Sequence, residues 1–288
     1  MTAQRVIVTG AAGRLGAAIV QAFQDRQVIA HTRTTLDITD AGAVSQAVAA
    51  ARPDVIINCA AFNDVDGAET SPIAALAVNA FAPRNLARAA RDTGAVFVHY
   101  GTDFVFDGRA SQPYDETATP SPQSTYAASK LLGEWFALDA PHAYVLRVES
   151  LFGAVENWAG RPGTFDNMVA GLEAGRDVRV FTDRVVSPSY VPDIVAATRH
   201  LVLTGAAPGL YHCVNAGQAT WYEVAQETAG LLGISPKLVP VSVNDVQLKA
   251  RRPQFCALSP HKLAGAGFAM PSWREALRRW LAGRAHPA

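Results

Sequence analysis

The chain has 288 residues, 49% apolar and 17% charged, enough for a full core in one large or two closely joined domains. Lys plus Arg and Asp plus Glu balance at 25 each, which argues against a bulk electrostatic grip on nucleic acid or an anionic membrane. Three scattered cysteines (Cys59, Cys213, Cys256), seven histidines without a ligand pattern, no leader-like N-terminus and no run of 18 apolar residues give the expectation of a soluble cytoplasmic protein without disulfide framework, metal or membrane span.

Short β-branched runs alternate with amphipathic stretches along the chain. Strands are predicted at 5–10, 27–32, 54–61, 95–102 and 143–149, with helices at 14–24, 41–53 (closing before Pro53), 72–94 and 124–138. Such alternation, with nearly continuous apolar strands, predicts a doubly wound parallel Rossmann-type α/β sheet over residues 1–150. Residues 151–288 read as a smaller C-terminal α/β substrate-binding part, with segments around 183–215 packing back on the first domain. Its predicted elements are a loop at 153–163, helix 164–174, strand 178–182, loop 183–193, helix 193–203, strand 209–214, a helix opening at Thr220, strand 236–242 and helix 271–281 with Ser272 as N-cap. Disorder is expected only after Trp280.

"VTGAAGRLG" sets Gly10, Gly13 and Gly16 between the first strand and the first helix. Glycines there let the backbone turn tightly and approach a pyrophosphate at a helix N-terminus. The spacing is G-x-x-G-x-x-G, and the strand–turn–helix context gives it weight. An NAD site would bring an acid on the second strand to the adenosine ribose. Here the strand ends in His31, Thr32 and Arg33, with Asp37 the first acid. Arg33, with Arg14 as a second guanidinium, suits a 2′-phosphate, so NADP(H) is favoured over NAD(H).

In "STYAASKLLGEW", Tyr126 and Lys130 fall one helical turn apart on one face. A free tyrosine titrates near 10. A nearby ammonium can bring it into range for proton transfer, and the same lysine can bind a ribose hydroxyl. Thr102 ends the fourth strand, at the carboxyl edge where such sheets bind ligands.

"TGAAGRLG", "INCAAFNDVDGAE", "VHYGTDFVFDG", "TYAASKLLGE" and "DRVVSPSYVPDI" occur in that order. Together with "LDITD", "RPDVIINCAA" and "ARRPQFCALSPHKL", they resemble the extended short-chain dehydrogenase/reductases, and most the dTDP-4-dehydrorhamnose reductase branch, over nearly the whole chain. The resemblance implies reduction of a nucleotide-linked 4-keto-6-deoxy sugar. In it Tyr126 would protonate the keto oxygen, Lys130 would lower the tyrosine pKa and bind the nicotinamide ribose, and Thr102 would hold the substrate oxygen. Gly10, Gly13, Arg14, Leu15 and Gly16 would line the pyrophosphate, Asp37 and Ile38 the adenine, and Ala60 and Ala61 the inner ribose and pyrophosphate. Val65, Asp103, Val105 and Ser150 would line the sugar pocket, and Arg184 would either meet a nucleotide phosphate or be a surface charge.

One segment departs from the branch. Where those reductases carry R-T-S-W-x-Y-G, this chain reads "RVESLFG", with Glu149 for a small serine and Ser150 for the tryptophan that packs on the sugar. Trp158, in the loop after Gly153, is read either as a replacement platform or, as is commoner for a loop tryptophan, as a residue that closes a pocket edge or packs locally. Arg251 and Arg252 are within sequence reach of a diphosphate, while Arg274, Arg278 and Arg279 read as the solvated face of the last helix. His99 and Cys59 read as core residues. Alternatives are a non-catalytic NADP-binding regulatory subunit, or a reductase of another carbonyl. Epimerase or dehydratase chemistry is disfavoured by "TDF" where dehydratases carry Thr-Asp-Glu. A homodimer is one candidate assembly beside a monomer.

Overall fold

The computed structural model describes residues 4–155, 158 and 160–285. The first strand, β1 (Arg5–Thr9), leads into α1 (Arg14–Ala22), followed by β2 (Gln27–His31), α2 (Ala41–Ala51) and β3 (Val55–Asn58). Next come α3 (Val65–Thr70), α4 (Pro72–Leu76), a π-helical turn (Ala77–Phe81), α5 (Ala82–Thr93), β4 (Val96–Thr102), a 3₁₀ turn (Asp103–Val105), α6 (Thr125–Leu138) and β5 (Ala143–Val148). The second half holds β6 (Leu151–Phe152), α7 (Thr164–Glu173), β7 (Val178–Phe181), β8 (Val185–Val186), β9 (Ser189–Tyr190), α8 (Val191–Thr204) and β10 (Gly209–His212). It closes with β11 (Ala219–Thr220), α9 (Trp221–Leu232), β12 (Leu238–Val241), α10 (His261–Gly265) and α11 (Trp273–Ala285).

Six parallel strands form the central sheet in the order β2-β1-β3-β4-β5-β10. Alternate side chains go to opposite faces, and both faces are covered. Val6, Val8, Val55, Ile57, Val98 and Leu146 meet α1 and α8, while Ile7, Ile56, Phe97 and Val145 meet the helices α2, α5 and α6. The chain turns one way from β1 to β2 and the other way to β3, so a crevice opens above the carboxyl ends of β1 and β3. The sixth strand comes from the second half of the chain. Arg199 of α8 reinforces that return by bonding Asp25 at 2.6 Å and the carbonyl of Ala22 at 2.7 Å.

The remainder forms a second core around Phe152, Phe165, Trp221, Trp273 and Trp280, beside the parallel pair β7–β12. The predicted loop 183–193 instead carries β8, which pairs with β11, and β9, which pairs with β6. The last helix continues past Trp280 to Ala285 rather than fraying. Its Arg279 is not simply solvated: it pairs with Asp193 at the start of α8 at 2.7 Å. The helix predicted over 72–94 is interrupted by its π turn. Pro83 has no N–H to offer the carbonyl of Asn79, and the helix widens there instead.

Candidate active site

The glycine loop is built for close approach. Gly10 has φ +69°, and a Cβ there would sit 2.5 Å from the amide nitrogen of Ala60. A Cβ on Gly16 would overlap the carbonyl of Gly10 at 2.1 Å. Gly13 is the N-cap of α1 and has no side chain to satisfy the first-turn N–H groups, which are left for an anion. These features fit a dinucleotide pyrophosphate.

Two cavities meet at this loop. One, of about 380 Å³, is lined by Gly10, Gly13, Thr32, Arg33, Asp37, Ile38, Ala60 and Ala61. Arg33 is exposed and makes no ion pair among the described residues. Arg14 does not join it, contrary to expectation. Its guanidinium lines the other cavity, ion-paired with Asp166 of α7, bonded to the carbonyl of Gly153 at 3.1 Å and stacked on Trp158. Trp158 in turn donates from Nε1 to the carbonyl of Ala12 at 3.2 Å, so it packs against the glycine loop.

The second cavity, of about 710 Å³, gathers Arg14, Leu15, Gly16, Val65, Thr102, Asp103, Tyr126, Lys130, Glu149, Ser150 and Arg184. Val105 is the exception. Its side chain is fully buried in a separate cluster with Phe106, Leu131, Val214 and Leu258, because the 3₁₀ turn after β4 points it into the core. Phe104 takes the exposed side of that turn and meets the Tyr126 ring edge-on at 5.6 Å. Phe104, Trp221 and Arg252 also line the cavity, and sequence reading passed over the first two. Arg252 is held by Asp66 at 2.9 Å, whereas Arg251 is exposed.

Tyr126 and Lys130 are both buried on α6, which is capped by Ser124. Lys130 Nζ donates to the carbonyl of Tyr100 at 2.5 Å. Burial holds its pKa down, to about 8, against the attraction of Glu134. Burial also pushes the Tyr126 phenol up, reinforced by the charge of Asp103 and opposed by the Thr102 hydroxyl. The expected lowering by Lys130 is therefore not the dominant effect, and the phenol keeps its proton at neutral pH. Thr102 Oγ1 donates to Asp103 Oδ1 at 3.0 Å and accepts from the amide of Phe104 at 3.3 Å.

The floor beneath is rigid. Asn58 accepts from Thr9 at 2.7 Å and from the amide of Ala60 at 3.1 Å, and its amide group meets His99 at 3.1 Å. Burial holds His99 well below its ordinary pKa, so it is a neutral core residue, as read from sequence. In the π turn, Asn79 pins both backbone groups of Phe62 and donates to Ser129 of α6 at 3.0 Å. Its sequence signal was a lone amide in the apolar run "AALAVNAFA". A buried ion pair, Arg147 with Glu134 at 2.8 Å, locks β5 to α6.

The "VES" segment turns inward. Glu149 is buried and accepts from the amide of Ser187 at 2.8 Å. Ser150 holds φ +45°, a left-handed conformation unusual for serine. Arg184 is not a surface charge. It donates to the carbonyl of Pro253 at 3.3 Å, and its charge draws down Asp103 and Glu149, although burial still raises both, Asp103 to about 6.

A family model described as the RmlD substrate binding domain matches residues 4–285. The chain is 39% identical to a dTDP-4-dehydrorhamnose reductase of Streptomyces griseus, over 96% of this chain and 91% of that one. It is 38% identical to a dTDP-4-dehydrorhamnose reductase of Mycolicibacterium smegmatis, over 96% and 84%. Among solved structures it resembles dTDP-4-dehydrorhamnose reductase of Bacillus anthracis in complex with NADP, with TM-score 0.91 and 32% identity, covering 98% of this chain and all of that one.

Proposed function

We propose, because this chain belongs to the RmlD substrate binding domain family, that it is an NADPH-dependent reductase of a nucleotide-linked 4-keto-6-deoxy sugar of the dTDP-4-dehydrorhamnose type. One observation carries the reading: Thr102, Tyr126 and Lys130 converge on a single cavity that shares Gly13, Ala60 and Ala61 with the adjoining one.

The orphan N–H groups at the start of α1 would hold the pyrophosphate of the cofactor, and Arg33 would supply a cation for its 2′-phosphate. Asp37 and Ile38 would flank its adenine, and Ala60 and Ala61 line both cavities. When bound, NADPH supplies the hydride to the sugar carbonyl carbon. Thr102 orients the carbonyl oxygen, and Tyr126 gives its phenolic proton to that oxygen. Lys130, fixed by the Tyr100 carbonyl, would offer its remaining N–H donors to a ribose hydroxyl of the cofactor and keep a positive charge beside the developing phenolate. Arg184 and Arg252 give the outer cavity its positive charge, suited to a nucleotide diphosphate.

The test is NADPH oxidation by the purified protein with dTDP-4-dehydrorhamnose or dTDP-4-keto-6-deoxy-D-glucose. Tyr126→Phe is expected to lower kcat by roughly 10²–10⁴-fold while NADPH binding is retained. No oxidation by the unmodified protein with either sugar, while NADPH still stabilises the fold, would sink the reading. Stronger stabilisation by NADPH than by NADH checks the assignment of Arg33.

The partner beyond substrate is a second copy of the chain, and the proposed location is the cytoplasm. Ile73, Phe81, Trp135 and Leu138 form exposed apolar positions on α4, the π turn and α6, with Ile73 82% exposed. Light scattering that finds only monomer at micromolar concentration would refute the dimer. No helix among the described residues is long and apolar enough to cross a membrane.

A further inference from the structure

Behind the catalytic tyrosine lies a cluster that the hydride chemistry does not use. Asp103, Glu149 and Cys256 bring their ligand-type atoms within 4.8 Å of one another, all buried. Asp103 Oδ2 and Glu149 Oε1 have no hydrogen-bond partner, although both side chains are at least 97% buried. Such orphaned carboxylate oxygens, side by side in a low dielectric, cannot both be ionised without a large penalty. The cluster already has its cation, since the Arg184 guanidinium contacts the Cys256 sulfur at 3.8 Å. One guanidinium against two carboxyls leaves room for one more positive charge. A proton fits where a metal ion would be pressed against Arg184.

The cluster is wired to the reacting groups. Asp103 Oδ1 accepts from Thr102 Oγ1, and Thr102 lines the same cavity as Tyr126. Glu149 follows β5 and reaches the cavity wall, while its Oε2 is fixed by the amide of Ser187. The charged and titratable groups facing the pair are Arg184 from the segment before β8, Cys256 from the strand-like stretch before α10, and Tyr126 from α6. Burial keeps the Cys256 thiol protonated.

We propose that Asp103 and Glu149 share one proton and use it to refill Tyr126 through the Thr102 hydroxyl after each reduction. The inference rests on the reductase reading above. In the sequence of transfers, the Tyr126 O–H bond breaks as the product hydroxyl forms. The Thr102 hydroxyl then turns from Asp103 and gives its proton to the phenolate, an Asp103 carboxyl proton passes to the Thr102 oxygen, and the Glu149 proton passes to Asp103. Water in the cavity restores Glu149. The net change is one proton carried from solvent to the phenolate, with no change of oxidation state. Glu149 and Asp103 are thus positioning residues that act through Tyr126, and the departure "VES" is what completes the wire.

The experiment compares Glu149→Gln with the unmodified enzyme in stopped flow, using NADPH and dTDP-4-dehydrorhamnose. Gln keeps the shape of Glu but cannot pass on a carboxyl proton. The first turnover draws on the proton already on Tyr126, so the variant is expected to show a burst of one NADPH per site. A steady state slowed about tenfold or more should follow, within the range that proton-transfer groups supply. KM and NADPH affinity should stay unchanged. Glu149→Asp should recover most of the steady rate, and Asp103→Asn should reproduce the burst if Glu149→Gln does not fold. A slowed first turnover without a burst, an unchanged steady rate, or a stoichiometric metal ion in the purified protein that is lost in Glu149→Gln would overturn the proposal. Absence of turnover in the unmodified enzyme would instead count against the reductase reading.

Discussion

At the scale of single residues, the site sets chemistry against stability. Lys130 is a buried ammonium whose folded-state pKa is depressed, from 10.5 to about 8. Between those values the unfolded chain binds more protons than the native one, so this group's penalty shrinks as pH rises and is gone above about 10.5. Lys130→Met should therefore be more stable than the unmodified protein at pH 7, on the order of 1–3 kcal/mol, while losing nearly all activity. Thermal unfolding at pH 7, 8.5 and 10 checks this: the gap should narrow with pH, and a constant or widening gap would refute it. The same residue shows what spacing alone conveys. Tyr126 and Lys130 were legible as one face of a helix, and Thr102 as a strand end. The direction in which the lysine points was not, because the Tyr100 carbonyl that accepts its hydrogen bond comes from a strand 30 residues earlier.

At the scale of elements, the site depends on how closely α6 approaches the π turn. A Cβ on Gly133 would lie 2.0 Å from the carbonyl oxygen of Asn79, the carbonyl that Pro83 leaves without its helical donor. Gly133→Ala must therefore push the two helices apart. It is expected to destabilise the fold by about 1–3 kcal/mol, and more than any gain in helix propensity can return. The displacement should also weaken turnover, since Tyr126 and Lys130 ride on the shifted helix. Chemical denaturation alongside steady-state kinetics measures both, and a neutral effect on the two would contradict this packing. The alternation of strands and helices was readable throughout the first half because each strand is apolar on both faces. The π turn was not, since its cause is a proline whose ring and missing N–H act on a residue four positions back. The short pairs β6–β9 and β8–β11 were likewise hidden. Two-residue strands carry no periodicity, and their partners lie more than 30 residues away.

At the scale of the whole molecule, long-range ties join what the sequence divides near residue 150. Arg199 binds Asp25, Arg252 binds Asp66, and Arg14 binds Asp166, each linking segments on the two sides of that point. The strand-like "GLYHCV" after a helix was legible as a strand, and it joins the sheet as β10. Its place beside β5 was not, because no local pattern says which edge a late strand will join. That place has a consequence for how the protein is made. Strand β5 emerges from the ribosome with one side of its backbone unpaired, and its neighbour β10 is not yet synthesised. At about 5–20 residues per second, the intervening segment 149–208 takes roughly 3–12 s to appear. During that interval the nascent chain presents an apolar open edge, the template on which other chains aggregate. A fragment ending at residue 150 should accordingly be insoluble or chaperone-bound, while one ending at 216 should be markedly more soluble. Sedimentation of both fragments after cell-free translation decides the matter, and a soluble, cooperatively unfolding 1–150 would show that the sheet can wait for its last strand.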